Sequence, residues 1–222
     1  MKDVLAILRK EWRNFVGSEK GVFAVYAILV FVWSFLPLYN NLGSFALGGA
    51  VWWLFFSVIV SGNFANTVFV AERMSGSMEI LLTSGFSRNG VLFGKVLFVM
   101  IMSGVIGALC FCLSIAWIGL SGHAALLFGP SLLYAVALYA SGTFLNAAAG
   151  AWMSIRLSSP RLIPFVNILL VGVVCGVYYA LFFTACMSAW ALPALLLAVG
   201  CVFCALAKRD FNGEKIIAPV DV

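Results

Sequence analysis

Three stretches of this chain, 21–71, 96–155 and 162–207, contain no aspartate, glutamate, lysine or arginine. They are 51, 60 and 46 residues long. A helix needs about 20 apolar residues to cross the hydrocarbon core of a bilayer. Each stretch is therefore too long for one crossing and fits two. With 64% hydrophobic and 9% charged residues, the chain lies far from the roughly 45–50% apolar and 25% charged composition of soluble domains. The expected fold is all-α: a polytopic membrane protein of six transmembrane helices.

Charged residues occupy the gaps between these stretches, in clusters at 1–20, 72–95, 156–161 and 208–221. If each stretch crossed once, the lysines and arginines would divide 7 against 6. If each crosses twice, all 13 lie on one side. Basic residues collect on the cytoplasmic side of a membrane, so six crossings with both ends cytoplasmic is the expected topology. This places helices at about 21–39, 46–70, 96–120, 125–152, 163–183 and 188–207, with hairpins near Tyr39–Gly43, Ser121–His123 and Thr184–Ser188. The rest divides into an interfacial segment at 1–20, a loop at 71–95 and a cytoplasmic tail at 208–222.

Trp33, Trp52, Trp53, Trp117 and Trp190 fall near the expected outer ends, where an aromatic belt would lie. The first span has a long flank and no small-residue cleavage site after it, so it reads as a retained helix rather than a signal peptide. The six cysteines sit within or beside apolar runs, and there they act as small hydrophobes, including the Cys201/Cys204 pair. A net charge of +5 without a basic face or a binding motif gives no reason to expect nucleic acid.

Two segments stand outside the spans. In residues 1–16, Val4, Leu5, Leu8, Trp12 and Phe15 recur at helical spacing opposite Arg9, Lys10 and Arg13, as in a helix lying in the headgroup layer. Residues 72–95 read ERMSGSMEILLTSGFSRNGVLFGK. Here Ser77 is the expected N-cap, Glu79 suits the first turn, and Gly85 suits a left-handed stop. The product is a short helix, 78–84, presenting Ile80, Leu81 and Leu82; it is too short to persist unsupported.

The pattern Glu72-Arg73-x-x-Gly76-Ser77-x-Glu79-x-Leu81-Leu82-x-Ser84, followed by Ser87-Arg88 and Gly94-Lys95, resembles the signature of ABC-2-type transporter permeases. The short gliding-motility-associated and sodium- or drug-efflux types are the most similar. The resemblance covers the whole chain in order of parts, but in motif only this loop. It implies that two permease subunits, copies or paralogues, form an export pathway above two ATPase subunits in the cell membrane. It also implies that the helix after Gly76 is the coupling helix, so that Glu72, Arg73, Gly76, Ser77, Glu79, Ile80, Leu81 and Leu82 engage the ATPase. No phosphate-binding G-x-x-x-x-G-K-[ST] loop is present. ATP would then be bound and hydrolysed by the partner, and this chain would itself be neither an enzyme nor a cofactor carrier.

Within the spans, Asn63 and Asn66 lie three residues apart and are candidates for lining a pathway, with interhelical hydrogen bonding the plainer alternative. Asn146 and Asn167 stand alone in the fourth and fifth spans. Gly172-x-x-x-Gly176 and the small run Ala147–Ala151 permit close helix approach. In related permeases the fifth span lines the dimer interface, which makes Gly172 and Gly176 candidate dimer contacts; packing within the chain is the alternative. A rhomboid-like serine protease would need a base for Ser141. The single histidine, His123, falls in an outer loop before that span. A scaffold without transport activity is the other alternative.

Overall fold

The computed structural model describes residues 2–17, 20–39, 48–122, 130–156, 162–185 and 188–211. All regular structure among them is helical. The helices are α1 (Lys2–Val16), α2 (Lys20–Tyr39), α3 (Gly48–Ala65), α4 (Ala71–Met74), α5 (Ser77–Thr83), α6 (Arg88–Leu120), α7 (Pro130–Arg156), α8 (Leu162–Ala185) and α9 (Ala191–Asp210). A π-helical turn, Asn66–Val70, joins α3 to α4. Four helical segments are long and apolar enough to cross a membrane: Trp52–Arg73, Arg88–Leu120, Leu132–Arg156 and Ala191–Asp210. Two shorter apolar segments, Phe23–Phe35 and Phe165–Ala180, lie in α2 and α8.

Helix α7 is the hub, packing most extensively against α3 and α9. Its small residues make this possible: Ala147, Ala148, Ala149 and Ala151 are fully buried. A side chain at Gly142 would collide with Ser57, and one at Gly150 would meet Ala65 Cβ at 2.7 Å. From the other side, a Cβ on Gly200 of α9 would meet the Phe144 ring at 2.7 Å. The small run expected to allow close approach does so within one chain.

Helix α2 lies along α6, held by polar side chains. Ser114 donates to the Ser34 carbonyl (3.0 Å) and Trp117 Nε1 to Ser34 Oγ (3.1 Å). The Phe35 and Trp117 rings stack nearby at 4.4 Å. Trp53 departs from the expected belt. It is 3% exposed and stacked on Phe111 at 3.7 Å, because its position on α3 faces α6 rather than the periphery. Trp52, one residue earlier, is exposed.

Contacts at one end of the bundle gather the charged segments. Lys10 of α1 pairs with Glu72 beside α3, and Lys95 of α6 with Glu11 of α1. Arg73 donates to the Ser154 carbonyl of α7. Arg156 pairs with Asp210 of α9 at 2.8 Å, and Trp152 Nε1 donates to the same carboxylate at 3.1 Å. At the opposite end Gly122 has a left-handed φ of 79°, as a turn after α6 requires. The expected hairpin at 40–43, His123, Arg161, Cys186 and the tail from 212 onward lie outside the described residues, as does residue 187 of the third hairpin.

Candidate functional site

The segment between the first and second of the long apolar helices forms the short helix expected there, one residue earlier than the sequence suggests. Gly76, not Ser77, is the N-cap, with φ 71°. Ser77 is the first helical residue, and its hydroxyl turns back to the Glu72 carbonyl (3.3 Å) and to Ser75 Oγ (2.7 Å). Glycine wins the cap because the chain must reverse in the left-handed region, where a Cβ is strained. At the far end Gly85, φ 85°, stops the helix as expected.

Of the residues expected to be presented by α5, Ile80 is 69% exposed and Glu79 is exposed beside it. Leu81 and Met78 are buried instead and join the core together with Phe69 and Leu92. The side chain of Leu82 lies outside what is described. Helix α5 therefore grips the bundle with one face and leaves a narrow ridge of Glu79, Ile80 and Thr83 outward.

Glu72 and Arg73 do not join that ridge. Glu72 is 9% exposed and lies between two ammonium groups, Lys10 and Lys95. Lys95 has no exposure at all. Its Nζ donates to Glu11 at 3.0 Å, to Glu72, and to the Val68 carbonyl at 2.8 Å, with the Phe69 ring centroid 5.8 Å away. All three N–H groups of Lys95 are thus used, the condition for a lysine to stay charged when buried. The Val68 carbonyl lies within the π-helical turn. Such a turn widens the helix and re-registers its ladder, and π-bulges are frequent at functional sites.

Helix α6 begins at Arg88, not near residue 96, so Lys95 sits two turns inside it. Two glycines let α1 reach it. A Cβ on Gly90 would fall 2.9 Å from Asp3 Cβ, and one on Gly94 would fall 3.0 Å from Ile7. Asp3, Ile7 and Glu11, four residues apart, thus share the face of α1 that rests on Gly90, Gly94 and Lys95. Asp3 also accepts bonds from Ser87 Oγ (2.7 Å) and Ser87 N (3.2 Å), while Ser87 Oγ caps α6 by accepting from Gly90 N (3.2 Å). These bonds hold the Asp3 carboxyl below the usual carboxylate range.

The buried face of α1 is accordingly not its most apolar face. Ile7 and Glu11 are buried, while Leu5 and Trp12 are 63% and 53% exposed, next to Arg9 and Arg13. A glutamate within a helix rich in basic residues looks solvent-facing in sequence. Only its i, i+4 alignment with Asp3 and Ile7 hints that it faces a partner.

Asn63 is exposed and its carbonyl accepts from Thr67, whereas Asn66 is half-buried at the start of the π-helical turn. Asn146 and Asn167 are fully buried. The Asn66 Oδ1, the Asn146 Oδ1 and both amide atoms of Asn167 have no hydrogen-bond partner among the described residues. The register that the Gly142–Ser57 and Gly150–Ala65 contacts set between α7 and α3 places Asn66 opposite Ala151 and Asn146 opposite Ser61, so these two carboxamides lie about 7 Å apart along the bundle at 1.5 Å per residue.

Gly172 and Gly176 lie on an open face of α8, where added side chains would meet nothing within 4 Å. Packing among the described residues does not use them. Ser141 is 1% exposed, with its hydroxyl donated to the Leu138 carbonyl (3.1 Å). His123 lies outside the described residues. Cys201 and Cys204 are free thiols, with no disulfide between them.

The geometry defines an all-helical protein with four helices of membrane-spanning length and composition and a charge-locked junction at one end. The chain matches no protein-family model, no curated protein and no solved structure.

Proposed function

We propose that the chain is the permease subunit of an ABC-2-type exporter, crossing the cell membrane six times with both ends cytoplasmic and coupled to a separate ATPase through α5. The observation that carries this reading is the ridge of Glu79 and Ile80 on a seven-residue helix, capped by left-handed glycines at Gly76 and Gly85. An isolated helix of that length is unstable in water. Here Met78 and Leu81 anchor it, and the Arg73–Ser154 and Glu72–Lys95 contacts fix its base to α7 and α6. A push on the ridge would reach the long helices through paired charges, not through a slack loop. The resemblance of 72–95 to the permease signature gives the pusher its identity.

On this reading Asn66, Asn146 and Asn167 offer polar contacts to cargo at successive depths of the bundle. The exposed Gly172 and Gly176 face a second permease across the dimer axis. The test is co-purification of the chain with an ATP-binding subunit. Glu79→Arg and Ile80→Asp should abolish the association while leaving membrane insertion intact. An intact complex in both variants would remove α5 as the coupling element.

A further inference from the structure

Between α1, α2 and α3 lies a cleft of about 490 Å³, floored by Phe98 of α6. Ligand sites are typically about 300–1,000 Å³. The two ends of this cleft differ in chemistry. One is aromatic: Tyr26 and Phe64 stack at 5.1 Å with nearly parallel rings, and Phe15 closes on Phe64 at 5.5 Å. The other is polar and lies at the charged junction, where Lys10, Asn14, Thr67, Ser75 and Ser77 line the mouth.

The mouth carries no net charge, since Lys10 and Lys95 balance Glu11 and Glu72. It offers donors and acceptors separately. Lys10 uses two N–H groups on Glu11 and Glu72 and has a third to give, with the exposed Asn14 one turn away. The hydroxyls of Thr67, Ser75 and Ser77 direct their protons at the Asn63 and Glu72 carbonyls or at each other. What they present outward is lone pairs.

We infer that this cleft binds one phospholipid whose headgroup carries both a phosphate and a primary ammonium, its acyl chain lying against Tyr26, Phe64 and Phe98. The phosphate accepts from Lys10 and Asn14, and the ammonium donates to Ser75 and Ser77. A quaternary ammonium has no N–H to give the serines. A net anionic headgroup gains one partner and meets two carboxylates. The inference requires a bilayer around the helices but not a permease, so lipid binding and ATPase association stand or fall separately.

The full chain, purified in mild detergent, is titrated with phosphatidylethanolamine, phosphatidylcholine and phosphatidylglycerol of matched acyl chains, and bound lipid is counted by native mass spectrometry. Phosphatidylethanolamine should be preferred by at least about fivefold to tenfold, since either of the two serine hydrogen bonds is alone worth about that much. Ser75→Ala with Ser77→Ala should bring it down to the phosphatidylcholine level while a lipid still binds. Thr67→Trp, or Ala71→Trp if the first variant fails to fold by circular dichroism, should fill the cleft and remove the bound lipid. Equal occupancy by all three lipids, a preference for phosphatidylglycerol, or a preference that survives the double serine variant would each overturn the site.

Discussion

The seam between α1 and α6 and the seam between α3 and α7 are both opened by glycines, yet they close over opposite chemistry. Gly90 and Gly94 bring α1 down onto a fully buried lysine and two carboxylates. Gly142 and Gly150 bring α3 and α7 together over serine, alanine and leucine. A buried ion pair contributes little net stability against an apolar replacement, but losing one partner strands the other in a poor dielectric. Apolar seams fail gradually as fit worsens. The first seam is all-or-none and the second graded; on the exporter reading, that suits a junction that transmits movement beside a core that stays still.

The largest effect is expected from Lys95→Met, which leaves Glu11 and Glu72 with Lys10 alone. It should cost about 3–5 kcal/mol, read as a fall in melting temperature in detergent and faster hydrogen exchange along α1. Adding Glu11→Leu and Glu72→Leu to that variant should recover most of the loss. If it does not, the lysine acts through packing and the contrast between the seams fails.

Gly150→Leu should cost about 1–3 kcal/mol through overpacking against Ala65, without loosening α1. A melting loss as large as that of Lys95→Met would erase the distinction. Gly172→Leu with Gly176→Leu meets open space and should change chain stability by no more than about 0.5 kcal/mol. On the exporter reading it lowers dimer cross-linking, and unchanged cross-linking removes α8 from the interface.

The smallest effect concerns Asp3. Its carboxyl is held below the ordinary value of 3.8 by the Ser87 hydroxyl and amide. The bond is therefore present above that value and lost as pH falls through the lower folded value. Exchange at α1 amides should rise with acid more steeply in the wild type than in Asp3→Asn.

Much of the helix plan was legible because charge is so unevenly distributed. The gaps between charged clusters mark where α2 and α8 begin and where α7 and α9 end to within four residues. The start of α6 was not legible. Lys95 looks like a loop residue until three partners, from α1, the π-helical turn and α4, are brought to it, and none is near in sequence. The short helix was visible through Ser77, Glu79 and Gly85, but the choice between Gly76 and Ser77 as cap depends on backbone direction, which residue type alone leaves open. The lining of the cleft was hidden because it draws on six helices and the π-helical turn.

Both carboxylates of α1 are turned toward α6, and this separates what the helix contains from what it displays. Its four basic and two acidic residues leave an outer flank of Lys2, Arg9 and Arg13 beside Leu5, Trp12 and Val16. Any surface approaching from that flank meets one polarity only. Dissolved ions would weaken its pull on an oppositely charged surface within about 8 Å at physiological ionic strength, while the enclosed lysine would feel almost nothing.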